Sequence, residues 1–294
     1  MRHKPVMMDE VIKSLNLRPQ STVVDCTVGT GGHSIEILKH ITPKGRLIAI
    51  DRDKESLECA KEELKEYGGS TIFVHNDFRN IDRILDDLQI EKVDAILFDL
   101  GISSFQLEAA DRGFSIKNDG PLDMRMDRSS YISAYDLVNN LTEEEISSIL
   151  RAFGQERWHN RIARHLVRAR VSQPIATTGQ LSSIILKAIP HGLSHSKIHP
   201  ATRSFQAFRI AVNRELESLE EALRKAVNYL SKGGRMSVIA FHSLEDRIVK
   251  NTFKKFFREG RVNLVNNKPV IPEAEEILVN PRARSAKLRT IERI

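Results

Sequence analysis

Cysteine is scarce, with 2 among 294 residues, Cys26 and Cys59, and no Cys-x-x-Cys pair. That excludes a disulfide framework. The 10 histidines show no ligand spacing, so no metal centre is expected. No apolar run approaches the ~20 residues that span a bilayer, which excludes an ordinary transmembrane helix. Residues 1–5 lead directly into an amphipathic helix with no apolar signal-peptide core, so the reading is cytoplasmic, with no membrane partner. No internal repeat or low-complexity segment interrupts the chain. Acidic charge falls only slightly short of basic: 45 Lys and Arg stand against 39 Asp and Glu, a formal +6. That mild excess fits a nucleic-acid partner without demanding one.

What the sequence does contain is alternation. Near-continuous apolar strands are expected at 22–26, 46–51, 71–74 and 93–99, with helices at 33–40, 54–67 and 80–88 between them. That is the pattern of a parallel sheet covered on both faces, a doubly wound α/β fold. The rhythm stops between about 105 and 204, where helical patterns and polar loops predominate. It resumes with one long helix over 205–230 ended by Gly233-Gly234, then a strand at 235–241. Ser243-Leu244-Glu245-Asp246 reads as a capping box opening another helix, and a last strand is expected near 286–291. The expected organisation is a discontinuous α/β domain, 1–105 and 205–294, interrupted by a mostly helical recognition domain, 106–204.

Asp25-Cys26-Thr27-Val28-Gly29-Thr30-Gly31-Gly32-His33 joins the first strand to a helix, where glycines let the backbone turn sharply against a ligand. Asp51 ends the second strand, placed to accept from both ribose hydroxyls. The NAD fingerprint requires a glycine where Ser34 stands. Asp25 would repel a pyrophosphate and suits a cationic amino-acid group. Together these features point to S-adenosylmethionine. Phe78, after the third strand, either packs on an adenine face or belongs to the core.

Ligands in open α/β sheets bind beyond the carboxyl ends of the strands. There lie Asp99 with Ser103, and His242 with Ser243, which together offer a carboxylate, hydroxyls and an imidazole. Neither cysteine is at these ends, so ring-carbon methylation is disfavoured against methylation of an amine. His242 is a proton acceptor, a base-contacting donor or a strand cap. Arg157, Arg161, Arg164 and Arg168 fall within about 60° of one another on a helix, a stripe suited to phosphates or simply a solvated face. Two dense stretches, 111–127 with Asp119, Asp123 and Arg125, and 199–207 with Arg203, mix charges and turn residues. Such segments are either solvated or build a site.

The segments His3-Lys4-Pro5-Val6, Gly31-Gly32-His33-Ser34, Asp99-Leu100-Gly101-Ile102-Ser103-Ser104, 119–127, 199–206, 241–250 and 280–286 resemble the bacterial ribosomal RNA small subunit methyltransferase H family over nearly the whole chain. The resemblance implies a class I, Rossmann-like S-adenosylmethionine-dependent methyltransferase. Its implied substrate is the N4 amino group of a cytosine in the decoding region of 16S rRNA, within the small ribosomal subunit or a late precursor. It further implies cofactor contacts by Gly31, Gly32, His33, Asp51, Phe78, Asp99 and Gln106. DNA cytosine-N4 methyltransferases usually carry Ser/Asp-Pro-Pro-Tyr, whereas this chain has Asp99-Leu100-Gly101-Ile102. The rival readings are a nicotinamide-dependent dehydrogenase, a non-catalytic RNA-binding assembly factor and a DNA methylase.

Overall fold

The computed structural model describes residues 5–190 and 199–294. His3 and Lys4 therefore lie outside the described residues. The chain begins with α1 (Met8–Leu15), β1 (Thr22–Asp25), α2 (Gly32–Ile41), β2 (Arg46–Asp51), α3 (Lys54–Glu63), β3 (Thr71–His75), α4 (Ile81–Asp87) and β4 (Val93–Asp99). Next come α5 (Ser104–Glu108), α6 (Ala134–Asn140), α7 (Glu143–Gly154), α8 (His159–Arg170), α9 (Thr178–Ala188) and α10 (Thr202–Asn213). The remainder is α11 (Glu215–Ala226), β5 (Leu230–Ala240), α12 (Ser243–Arg258), β6 (Val262–Leu264), α13 (Ala274–Val279) and β7 (Lys287–Arg293). No described helix is long and apolar enough to cross a membrane.

The strands form one seven-stranded sheet in the order β3-β2-β1-β4-β5-β7-β6. Strands β1 to β5 pair in parallel, while β7 runs antiparallel to both β5 and β6. Topology reverses between β1 and β4, the switch point where such sheets bind ligands. This is a doubly wound, Rossmann-like α/β fold.

Period-2 alternation divides the strand residues between two cores. Val24, Ile48, Ile96 and Val238 pack on one face with α4, α11 and α12 residues such as Ile84, Leu223 and Phe253. Val23, Leu47, Leu97 and Ile239 pack on the other with Val11, Leu38 and Leu57. Both faces are therefore dry, which is why the strands read as continuous apolar runs.

The chain divides into two compact units, Met1–Ser103 with Leu216–Ile294, and Ser104–Glu215. Within the second, α7 packs against both α10 and α8, and α8 against α9. Capping boxes at Ser133, Thr142 and Thr177 start α6, α7 and α9, satisfying backbone N–H groups that a helix leaves open.

Three local expectations need correction. The helix expected over 205–230 is two helices, broken at Arg214, which is left-handed at φ 50°. No glycine or proline marks the break. Asn213 is instead held by tertiary bonds: Nδ2 donates to Met124 O at 2.7 Å and Oδ1 accepts from Met126 N at 2.8 Å. Gly233-Gly234 does not end a helix but lies inside β5, where the pairing with β4 slips between Val93 and Ala95. The capping box that opens α12 starts one residue earlier, at His242.

Candidate active site

The glycine loop leaves β1 at its carboxyl end. Gly29 (φ +53°) and Gly31 (φ +92°) are left-handed, a conformation that costs any residue with a Cβ. A Cβ built on Gly32 would lie 2.5 Å from Pro5 Cγ, so the segment before α1 lies directly on the loop. Asp25 faces inward, only 1% exposed. Its Oδ2 accepts from Ser34 Oγ at 2.7 Å and its Oδ1 from Thr27 N at 3.1 Å. Burial raises its pKa, and these two hydrogen bonds offset part of that rise. Asp25 thus braces the loop, and Ser34 serves that brace instead of admitting a pyrophosphate.

Asp51 ends β2 with Oδ2 accepting from Gly29 N and Oδ1 from Asp53 N, both at 2.8 Å. Burial pushes its carboxyl up to about 6, against the pull of those two backbone donors. Each oxygen has a second lone pair for a ribose hydroxyl. Such donors favour the ionised form, so a bound ribose lowers the pKa. Cofactor affinity is therefore expected to be full above pH 6 and to fall as pH drops through it. Calorimetry in matched buffers between pH 5 and 8 checks this, and a flat profile would refute the contact.

Asp99 ends β4. Its N–H donates to Thr27 Oγ1 at 2.7 Å, joining this strand end to the glycine loop. Oδ2 lies 3.4 Å from His33 Nδ1, whereas Oδ1 is buried with no partner among the described residues. A buried carboxylate oxygen without a donor is costly unless a ligand supplies one. His33 itself is buried, and its Nε2 lies 3.0 Å from Val6 O. Phe78 is half-buried and packs edge-on against Phe98 with ring centroids 5.6 Å apart. Ser103 approaches the loop from the β4 side, 3.9 Å from a Cβ built on Gly29.

His242 follows β5 and caps α12: Nδ1 accepts from Glu245 N at 3.3 Å while Glu245 Oε2 accepts from His242 N at the same distance. Of the three roles open in the sequence, the geometry displays the cap. Ser243 is the first residue of α12.

These residues fit S-adenosylmethionine. The orphaned Asp99 Oδ1 suits its cationic amino group, and the left-handed glycines let the chain pass close to it. Comparison with known proteins adds the family. The MraW methylase family model matches residues 1–294. The chain belongs to that family. Ribosomal RNA small subunit methyltransferase H of Clostridium botulinum (strain 657 / Type Ba4) is 48% identical over 308 residues, covering 100% of this chain and 99% of that one. The protein of the same name from Clostridioides difficile (strain 630) is 46% identical over 307 residues, covering 99% of each. The cofactor of this methylase is S-adenosylmethionine.

The other residues singled out in the sequence lie in the unit Ser104–Glu215. Gln106 is buried in α5. Asp119 Oδ1 accepts from Gly179 N at 2.7 Å, tying its loop to α9. Asp123 grips Arg125 bidentately, at 2.7 and 2.9 Å, and Arg125 Nη1 donates to the carbonyls of Arg128 (3.1 Å) and Ser130 (2.6 Å). These three residues brace the segment 119–130. Arg161, Arg164 and Arg168 share the exposed side of α8 opposite Ile162, Ala163 and Leu166, and exposed Arg157 just precedes the helix. Arg164 pairs with Glu143 at 3.4 Å, and Arg157 lies over the Trp158 ring at 5.2 Å. Arg203 is exposed in the first turn of α10. In the other unit, Lys287 and Arg289 of β7 pair with Asp246, at 3.2 and 2.7 Å.

Sequence reasoning missed Thr27, Val6 and Glu276. Glu276 Oε1 accepts from Met7 N at 2.8 Å. Their roles depend on partners distant in the chain, and no local spacing signals them.

Proposed function

We propose that this methylase transfers a methyl group from S-adenosylmethionine to the N4 amino group of a cytosine in 16S rRNA, in the decoding region of the small ribosomal subunit. The observation that carries the reading is the full-length match to proteins named Ribosomal RNA small subunit methyltransferase H. The site chemistry supports an amine acceptor. Methylation of a pyrimidine ring carbon calls for a thiolate nucleophile. Cys26 is buried and its thiol is pushed well above the usual range by burial, while Cys59 sits on α3. An amine has its own lone pair and needs only positioning and the loss of a proton.

When bound, the cofactor supplies an electrophilic methyl group on a sulfonium. In this reading Asp51 holds its ribose, Phe78 faces its adenine, Gly29, Gly31 and Gly32 leave room for it, and Asp99 Oδ1 accepts from its amino group. Ser103, His242 and Ser243 stand beside the acceptor amine. The substrate is RNA within the small subunit or a late precursor, so the work is cytoplasmic. The unit Ser104–Glu215 serves as the recognition domain, with Arg157, Arg161, Arg164, Arg168 and Arg203 toward phosphates.

Small subunits lacking the modification, incubated with the enzyme and labelled cofactor, should gain a methyl group on one cytosine. Mass-spectrometric mapping should place it on N4. Label on a ring carbon, or on DNA in place of the subunit, would overturn the assignment.

Arg161→Glu with Arg168→Glu is expected to weaken RNA binding without altering cofactor affinity. The salt slope of log K should shrink by about 0.7 to 0.9 for each phosphate that the protein no longer neutralises. Filter binding at several salt concentrations tests this, and an unchanged slope would assign the stripe to solvent.

A further inference from the structure

His33 bridges two acceptors. Val6 O, 3.0 Å from Nε2, has no proton to give, so Nε2 must carry one. Asp99 Oδ2, 3.4 Å from Nδ1, is a carboxylate oxygen and asks the same of the other nitrogen. A neutral imidazole has one N–H and serves only one of them. The ring that satisfies both is the imidazolium. Its surroundings favour that form. Among the described residues, the charged groups acting on the ring are Asp99 at the end of β4 and Asp25 at the end of β1, and Val6 contributes its carbonyl. Burial disfavours the cation, but Asp99, Asp25 and the Val6 carbonyl together outweigh it and the His33 pKa is raised.

Residues 5–7 are pinned from two further sides. Pro5 abuts Gly32, and Met7 N donates to Glu276 Oε1 of α13 at 2.8 Å. The bridge therefore runs from α13 through the N-terminal segment and the ring to Asp99, whose other oxygen stays open.

We propose that His33 is a positioning residue: a doubly donating imidazolium that fastens residues 5–7 over the glycine loop and holds Asp99 Oδ2 so that Oδ1 is presented to the cofactor's amino group. With both ring nitrogens engaged and the side chain buried, any contact of His33 with the cofactor is left to its backbone at the start of α2. The proposal rests on the cofactor placement given above.

Two measurements test it separately. Long-range nitrogen NMR of the ligand-free protein should show both His33 ring nitrogens protonated at pH 7, and Asp99→Asn should lower the titration midpoint of the ring. A singly protonated His33 at pH 7 overturns the proposal, whatever the protein binds. Calorimetry with S-adenosylhomocysteine should then show His33→Gln binding roughly 10- to 100-fold more weakly than wild type, the scale of a missing hydrogen bond to a charged group. Binding equal to wild type overturns the positioning role. Wild-type protein that binds no S-adenosylhomocysteine would instead overturn the cofactor placement, leaving the NMR result to stand by itself.

Discussion

Replacing Asp99 with asparagine is expected to weaken S-adenosylmethionine binding by about 100-fold, since a hydrogen bond to a charged group contributes about 1.5 to 3 kcal/mol. Asparagine has nearly the same shape, so the bond from the residue 99 N–H to Thr27 Oγ1 survives and the fold is retained. What disappears is the anion. Oδ1, now buried without a partner, can no longer receive a cationic donor as a carboxylate. Oδ2 no longer balances the His33 ring. Both changes act in the same direction, so the effect exceeds that of an exposed ion pair, worth about 0 to 1 kcal/mol. Methyl transfer should fall at least as far as binding at sub-saturating cofactor. Calorimetry measures the affinity, and thermal unfolding checks that the variant is folded. A folded variant with wild-type affinity would remove Asp99 from the cofactor site.

The second large effect concerns stability. Gly120→Ala is expected to destabilise the protein by about 3 to 5 kcal/mol, the range of severe steric lesions. A Cβ on Gly120 would lie 1.9 Å from Ala110 O and 2.7 Å from its carbonyl carbon. Both are backbone atoms, so no side chain can swing aside. Gly113, nearby, meets Pro121 O at 2.2 Å in the same way. The chain passes over itself here with only glycine between the layers. Separating the layers also strains the bonds that tie Gly120 to Thr178, at 2.9 and 3.2 Å. Buried Arg112, which donates to the carbonyls of Arg125 and Met126, is disturbed as well. Gly68→Ala is the control: nothing lies within 4 Å of its Cβ position, so its effect should stay within about 0.5 kcal/mol. Denaturant unfolding of both variants decides the matter, and equal stability would mean that the crossing relaxes cheaply.

The strands β2 and β4 were legible to the residue, because strands buried on both faces of a parallel sheet must be apolar throughout. The glycine loop was legible because left-handed turns demand glycine. β6 was not, since three residues with an outward Asn263 carry no pattern. The break at Arg214 was invisible because its cause, Asn213 bonded to Met124 and Met126, lies almost ninety residues upstream. The cap at His242 was hard to read because histidine is an uncommon cap; the extended β5 delivers it at φ −142° with Glu245 three residues later, and the geometry does the rest.

Hydrophobic period and turn chemistry, both local, therefore determined by themselves the α/β class and the strand ends where acidic residues collect. Which of those carboxylates is free was decided only by tertiary structure. Asp25 is engaged by Ser34 and Thr27, Asp51 holds two backbone N–H groups, and Asp99 keeps one oxygen open. An acidic residue's availability depends on donors brought to it through space: Gly29 N reaches Asp51 across 22 residues of chain, and Ser34 Oγ reaches Asp25 across 9. Only folding makes those partners neighbours.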